Sequence, residues 1–446
     1  MNKFKAFRVA QATALVSMLA VTGAQATYFK WETVTAPASS GAGCGNGTPY
    51  RFFVNRTPFS SKTIVIYEGG GACFGQQTCR AQLLDRGDPK NGVLVATDPN
   101  GISENYMTAI FSNMPNTSGS LVGIPNLALA GLVSPFAARL SPLGRVQTQK
   151  WNIVYAPYCT GDVHVGNKTN VYIDHDPSKP YVYHHLGYPN TKYMATWLGK
   201  NLSRPENLLV TGFSAGGFGA AANYDTVRRA MNPRHSALLD DGGPFFNAPV
   251  GSNASSLPLH TRIRKEWGTD GSQGILTELL ARYPNSGGDR NNMGSLFLAL
   301  AKVYPKDRFG LSTMNEDQII PRFSYEPFFP EILEARPGKE RDSLMNVRWR
   351  REIQDWKTYV AGHSNIGYYI PNARDLLLSH TLTVLTFGGT AIEEANQPSV
   401  VSFVDNLVEG SGPVLRAAST TLETQRSGLT AAYTWIVSLV LSVIGV

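Results

Sequence analysis

The stretch that most constrains this chain is "VTGFSAGGFGA", residues 210–220. An apolar run leads into Gly-x-Ser-x-Gly, and small residues follow. The pattern suits a sharp strand–serine–helix turn that presents a nucleophilic hydroxyl, because the glycines at 212 and 216 permit tight turning and close helix–strand packing. It also suits a purely structural glycine turn, so the surroundings must discriminate. "ENLLVT" (206–211) reads as the strand before it. "AGGFGAAANYDTVRRAM" (215–231) reads as the helix after it, stopped by Asn232-Pro233.

Other apolar runs repeat that alternation. "KTIVIY" (62–67), "WNIVYAPYC" (151–159), "SALLDD" (236–241), "RFGLST" (308–313) and "NIGYYI" (365–370) read as strands. Segments 190–202, 292–304 and 399–408 read as helices. Residues 126–140 have helical character, and residues 27–60 read as irregular. Strands alternating with helices argue for an α/β fold: a mostly parallel central sheet flanked by helices, with loop-rich insertions. Functional residues then belong on loops beyond the carboxyl ends of the strands.

The two ends differ from the middle. "MNKFKAFR" is basic, the following stretch is apolar, and "AQA" (24–26) is an A-x-A cleavage signature. Residues 1–26 are therefore expected to be a secretory signal, giving a secreted or periplasmic protein. The expected α/β domain spans 27–410, with a polar linker over 411–427. The tail, 428–446, carries no charge, is mostly apolar and is nearly long enough to span hydrocarbon, so it is a candidate for membrane association. The formal net charge is +7, and Lys3, Lys5 and Arg8 carry three of those charges. No Lys/Arg-rich run supports nucleic-acid binding. Four cysteines in an exported chain suit two disulfides. Cys73 and Cys79 are near enough to close a small loop, which leaves Cys44 for Cys159. A zinc site fits poorly, since no C-x-x-C is present, and no metal or cofactor is expected.

A serine hydroxyl needs a base, an acid that orients the base, and oxyanion donors. For Ser214 the helix start supplies the Ala215 amide, and "YEGGGACF" supplies a glycine-rich loop after an earlier strand, with Gly70 and Gly71 as donors. The expected order places the base late. His380 fits best and His363 is the rival, whereas His164, His175, His184 and His185 precede the serine. Asp317 follows a strand between Ser214 and His380. Glu316 beside it, and Asp240 or Asp241 at the end of the next strand, are the alternatives.

With these pieces assembled, "CGNGTPYRFF" (44–53), "IYEGGGACF…C" (66–79), "VYAPYCTGDVHVGN" (154–167), "LLVTGFSAGG" (208–217) and "HTL" (380–382) resemble the pectin acetylesterase (Notum-like) family, its bacterial branch above all. The motifs run in the family's order over nearly the whole chain after residue 26. The resemblance implies an α/β-hydrolase-like fold and a serine carboxylesterase that needs no metal. It implies Ser214 as nucleophile, His380 as base, Asp317 as acid, and Gly70, Gly71 and Ala215 as oxyanion donors. It also implies bridges Cys73–Cys79 and Cys44–Cys159. The expected substrate is an acylated, most simply acetylated, hydroxylated molecule such as a polysaccharide. The alternatives are a lipase-like or polyester-cleaving enzyme on the same triad, and a non-catalytic surface-binding protein on a hydrolase scaffold.

Overall fold

The computed structural model describes residues 28–80, 101–107, 134–137, 139, 145–374, 379–384 and 387–420. The expected signal segment and apolar tail lie outside these residues, as do most of the 126–140 helix and the end of the 411–427 linker.

The short apolar runs form a parallel sheet. Strands β3 (Thr63–Tyr67), β4 (Asn152–Ala156), β7 (Asn207–Phe213), β8 (His235–Asp241), β9 (Arg308–Ser312), β10 (Ile366–Ile370) and β11 (Arg416–Ala418) lie in the order β4-β3-β7-β8-β9-β10-β11, all parallel. β3, β4 and β7 read as nearly continuous apolar runs because both faces of such a sheet are covered. Residues 27–60, expected to be irregular, instead contain β1 (Trp31–Thr35) and β2 (Arg51–Asn55). These pair antiparallel and extend the sheet beyond β4. β1 alternates polar and apolar residues at the sheet edge, where one side meets solvent, so no apolar run marks it. β5 (Lys168–Tyr172) and β6 (Tyr181–His185) form a separate antiparallel pair.

Side-chain alternation along β9 shows the layers. Phe309 meets Tyr224 of α3 (Ala215–Met231) and Phe297 of α6 (Ser295–Val303). The next residue, Gly310, faces the other way: a Cβ there would lie 2.5 Å from Leu407 and 2.9 Å from Phe403 of α10 (Val401–Glu409). Helices thus cover both faces. α2 (Gly187–Asn201) packs against α3, with Gly199 set against the Ala230 carbonyl. The remaining helices include α1 (Gln76–Cys79), α4 (Leu257–Trp267), α5 (Ile275–Arg282), α7 (Ile320–Ser324), α8 (Pro330–Glu334) and the long α9 (Lys339–Tyr359).

Strand register sets the stage for chemistry. Tyr67 pairs with Gly212, Phe213 with Asp241, Asp241 with Ser312, and Ser312 with Tyr369. The carboxyl ends of five strands therefore finish in one row, and the loops leaving them meet.

Two disulfides, Cys44–Cys159 and Cys73–Cys79, fasten loops at this end of the sheet. The first closes a separation of 115 residues, the kind of crosslink that most restricts an unfolded chain. Replacing both Cys44 and Cys159 with serine should lower the unfolding free energy by about 2–5 kcal/mol. Denaturant titration of the variant and parent, each with and without reductant, measures this.

Candidate active site

Ser214 sits between β7 and α3 with φ 58° and ψ −126°, a backbone conformation that side-chain-bearing residues seldom adopt. Its surroundings hold it there. The Ser214 N–H donates to the Asp241 carbonyl (2.8 Å), and the Ser214 carbonyl accepts from Gly217 N–H (2.8 Å). The two motif glycines are obligatory by contact. A Cβ on Gly212 would lie 2.2 Å from the Gly216 carbonyl oxygen, and one on Gly216 would lie 2.0 Å from that of Tyr67. The glycine loop after β3 lies directly against the serine: a Cβ on Gly69 would be 2.9 Å from Ser214 Cβ. Gly70 (φ 150°) and Gly71 (φ 77°) both occupy the region that favours glycine. Ala215 opens α3, so its amide belongs to a first turn whose N–H groups lack helical acceptors and carry the positive end of the helix dipole.

The structure brings Asp317 and His380 together. His380 Nδ1–H donates to Asp317 Oδ2 (2.8 Å), which leaves Nε2 as the basic nitrogen of the neutral ring. The other oxygen, Asp317 Oδ1, accepts from the amides of Ile319 and Ile320 (2.8 Å each). Asp317 is buried, and its loop is laced to the histidine's: Gln318 N–H donates to the Ser379 carbonyl (2.7 Å). The His380 ring packs against Gly242, whose neighbours Asp241 and Gly243 both touch the Ser214 backbone. His380 Nε2 is buried and makes no hydrogen bond. It therefore makes no hydrogen bond to the Ser214 hydroxyl in this structure.

The rival residues go elsewhere. His363 lies just before β10, at the opposite end of the sheet. Glu316 pairs with Arg350 (3.2 Å). Asp240 accepts from Gly243 N–H (3.0 Å) in the turn after β8. Asp241 accepts from the Leu382 and Thr383 amides and from the hydroxyls of Thr383 and Ser312. It pins the segment just after His380, a function sequence reasoning missed because the partners lie 141 and 142 residues away. Cys73, Cys79 and His185 lie close enough to share a metal ion, but the two sulfurs are bonded to each other and are not thiolate ligands.

Beside Ser214 opens an apolar pocket of about 40 Å³, lined by Gly71, Ser214 and Ala215 and walled by Phe218, Phe245, Leu259, Ile263, Trp267 and Phe323. Helix α4 supplies three of these at i, i+4 and i+8, one face of a helix. That Leu-Ile-Trp stripe is readable in the sequence once a helix is placed over 257–267.

A family model described as pectinacetylesterase matches residues 146–265. The pectin acetylesterase resemblance holds. The matched span carries "PYCTGDVHVGN", the elbow and the β8 aspartates, and it supports an acyl-removing esterase. Among solved structures, the chain is similar to the Wnt deacylase Notum from Drosophila at 16% identity and TM-score 0.54, covering 90% of this chain and 99% of that one. A second crystal form of that protein gives 16% identity and TM-score 0.53, with 89% and 97% covered. These likenesses show the α/β-hydrolase fold. No curated protein matches in sequence.

Asp240 and Asp317 should respond differently to substitution. Burial, and secondarily the nearby Asp241 charge, push the Asp240 pKa well above the usual carboxylate range. The folded protein thus keeps a proton that the unfolded chain releases above about pH 4, so this group's contribution to stability falls as pH rises. Asp240→Asn keeps an oxygen for Gly243 and removes that dependence. The variant-minus-parent difference in unfolding free energy should therefore increase from pH 4 to pH 7, as denaturant titration at several pH values would reveal.

Proposed function

We propose that this chain is an exported serine carboxylesterase that removes a short acyl group, most simply acetyl, from a hydroxylated substrate such as a polysaccharide. The observation that carries the reading is the meeting of three loops: strained Ser214, the glycine loop pressed against it, and His380 held by Asp317. In this reading Ser214 Oγ attacks the ester carbonyl while His380 Nε2 takes its proton. Asp317 keeps the proton on Nδ1 and stabilises the imidazolium. The Gly70, Gly71 and Ala215 amides receive the oxyanion. His380 then protonates the leaving alcohol, and water releases the acyl group by the same route. Export is supported by the two disulfides, which persist in oxidising compartments.

The pocket speaks to the acyl group. Its walls are apolar, which disfavours a charged acyl chain, and about 40 Å³ is room for roughly three waters at about 10–15 Å³ each. A short, uncharged acyl group suits that space. Hydrolysis of p-nitrophenyl esters should therefore be fastest for acetyl to butyryl and should vanish in Ser214→Ala. Equal rates in parent and Ser214→Ala would overturn the esterase reading. Rates that climb toward dodecanoyl would instead favour the lipase-like or polyester-cleaving alternative. Asp317→Asn should lower kcat by about 10,000-fold with the fold intact, whereas Asp240→Asn should leave kcat within about tenfold; steady-state kinetics with circular dichroism as the folding control decides between them.

A further inference from the structure

Glycine amides stabilise an oxyanion well only when they are oriented before the reaction, and Gly69–Gly71 have no side chains with which to hold themselves. Another loop, residues 158–166, grips them at both ends. At the near end stands Glu68. Its carboxylate accepts from Tyr106 Oη (2.7 Å), Tyr155 Oη (2.8 Å) and the Tyr158 amide (2.9 Å), and its carbonyl accepts from His164 Nε2–H (2.8 Å). At the far end the Cys73 N–H donates to the Gly161 carbonyl (2.8 Å).

The gripping loop is itself under strain. Val163 (φ 47°) and His164 (φ 64°) are successive non-glycine residues in the left-handed region. Asp162 holds them there: its buried carboxylate accepts from the amides of His164 (3.1 Å), Gly166 (3.1 Å) and Gly187 (2.8 Å) and from the Thr160 hydroxyl (2.6 Å). The His164 ring packs between Tyr67 and Tyr158, with centroids 5.1 and 4.7 Å away. Gly219 of α3 makes room for it, since a Cβ there would lie 2.8 Å from the ring. Burial lowers the His164 pKa to about 4, so the ring is neutral near pH 7 and its one N–H goes to Glu68.

We propose that His164 is a positioning residue for ester cleavage. Through the Glu68 carbonyl it fixes the peptide plane from which Gly69–Gly71 run past Ser214, and so aims their amides at the oxyanion. This rests on the esterase reading of Ser214.

Three variants of the exported protein test it. His164→Gln keeps an N–H at about the reach of Nε2, His164→Asn falls short, and His164→Leu has none. With p-nitrophenyl acetate, His164→Leu should lose about 10- to 100-fold in kcat, less than the roughly 100- to 1,000-fold for an oxyanion donor removed outright. KM should stay within about threefold. Inhibition by phenylboronic acid, which forms a tetrahedral adduct on an active serine, should weaken in parallel, and His164→Gln should restore both. If His164→Leu does not fold, the comparison of Asn with Gln carries the same expectation. Unchanged kcat in Leu or Asn would overturn the positioning role, as would equal losses in Gln and Leu. If parent turnover proves independent of Ser214, the esterase reading fails and the positioning role fails with it. The Ser214→Ala control separates that case from failure of the positioning role alone.

Discussion

Everything at the carboxyl end of the sheet depends on one backbone contact, the passage of Gly216 beneath the carbonyl of Tyr67. No side chain fits there, since even a methyl group would sit 2.0 Å from that oxygen. Because Gly216 is the second residue of α3 and Tyr67 ends β3, the contact joins the helix that follows Ser214 to the strand that launches the glycine loop. The serine's position and the loop's position are therefore one constraint. Parallel register extends it sideways, since Phe213, Asp241 and Ser312 finish level with one another. A site assembled this way stands on a rigid scaffold and needs loops only for its last few ångströms.

Those last ångströms are set by buried carboxylates that bond to backbone amides. Asp162 organises the 158–166 loop, Asp241 the segment after His380, and Asp317 Oδ1 the start of α7. Burial raises the pKa of Asp162 to about 6 despite its four hydrogen bonds, and raises that of Asp241 as well. The bonds from amides and hydroxyls pull the other way, favouring the ionised form, and for both residues they come second to desolvation. Burying an acid costs desolvation, and here each carboxylate offsets part of that cost by accepting bonds from the backbone amides it orders.

This division explains what the sequence disclosed. Buried parallel strands advertise themselves as short apolar runs, and β3, β4, β7, β8, β9 and β10 fall on the expected segments within a residue or a few. The elbow was legible for the same reason, with an apolar strand before it and small residues after. Edge strands and solvated helices were not. β1 reads "WETVT", polar at alternate positions, and α9 is a highly charged 21-residue helix. α9 packs through a sparse stripe of Met345, Trp349, Ile353 and Trp356. The pairing of His380 with Asp317 follows the order of residues along the chain, because in this topology order dictates which strand ends are neighbours.

What sequence order could not convey is which polar groups cross between loops. His164 precedes the serine in the chain, and its one N–H is committed to the Glu68 carbonyl, 96 positions away. Its motif and the glycine motif lie far apart in the chain, yet in space they form one unit. Tyr158, Gly161 and His164 hold Glu68 and Cys73, and both disulfides anchor the same unit, through Cys44–Cys159 on one loop and Cys73–Cys79 on the other. Two motifs that look like separate signatures are two halves of one clamp. The specificity of either half alone therefore understates what the pair implies. Under the proposed reading, a chain that keeps "EGGGAC" and loses its partner loop would keep the amides and lose the means of aiming them.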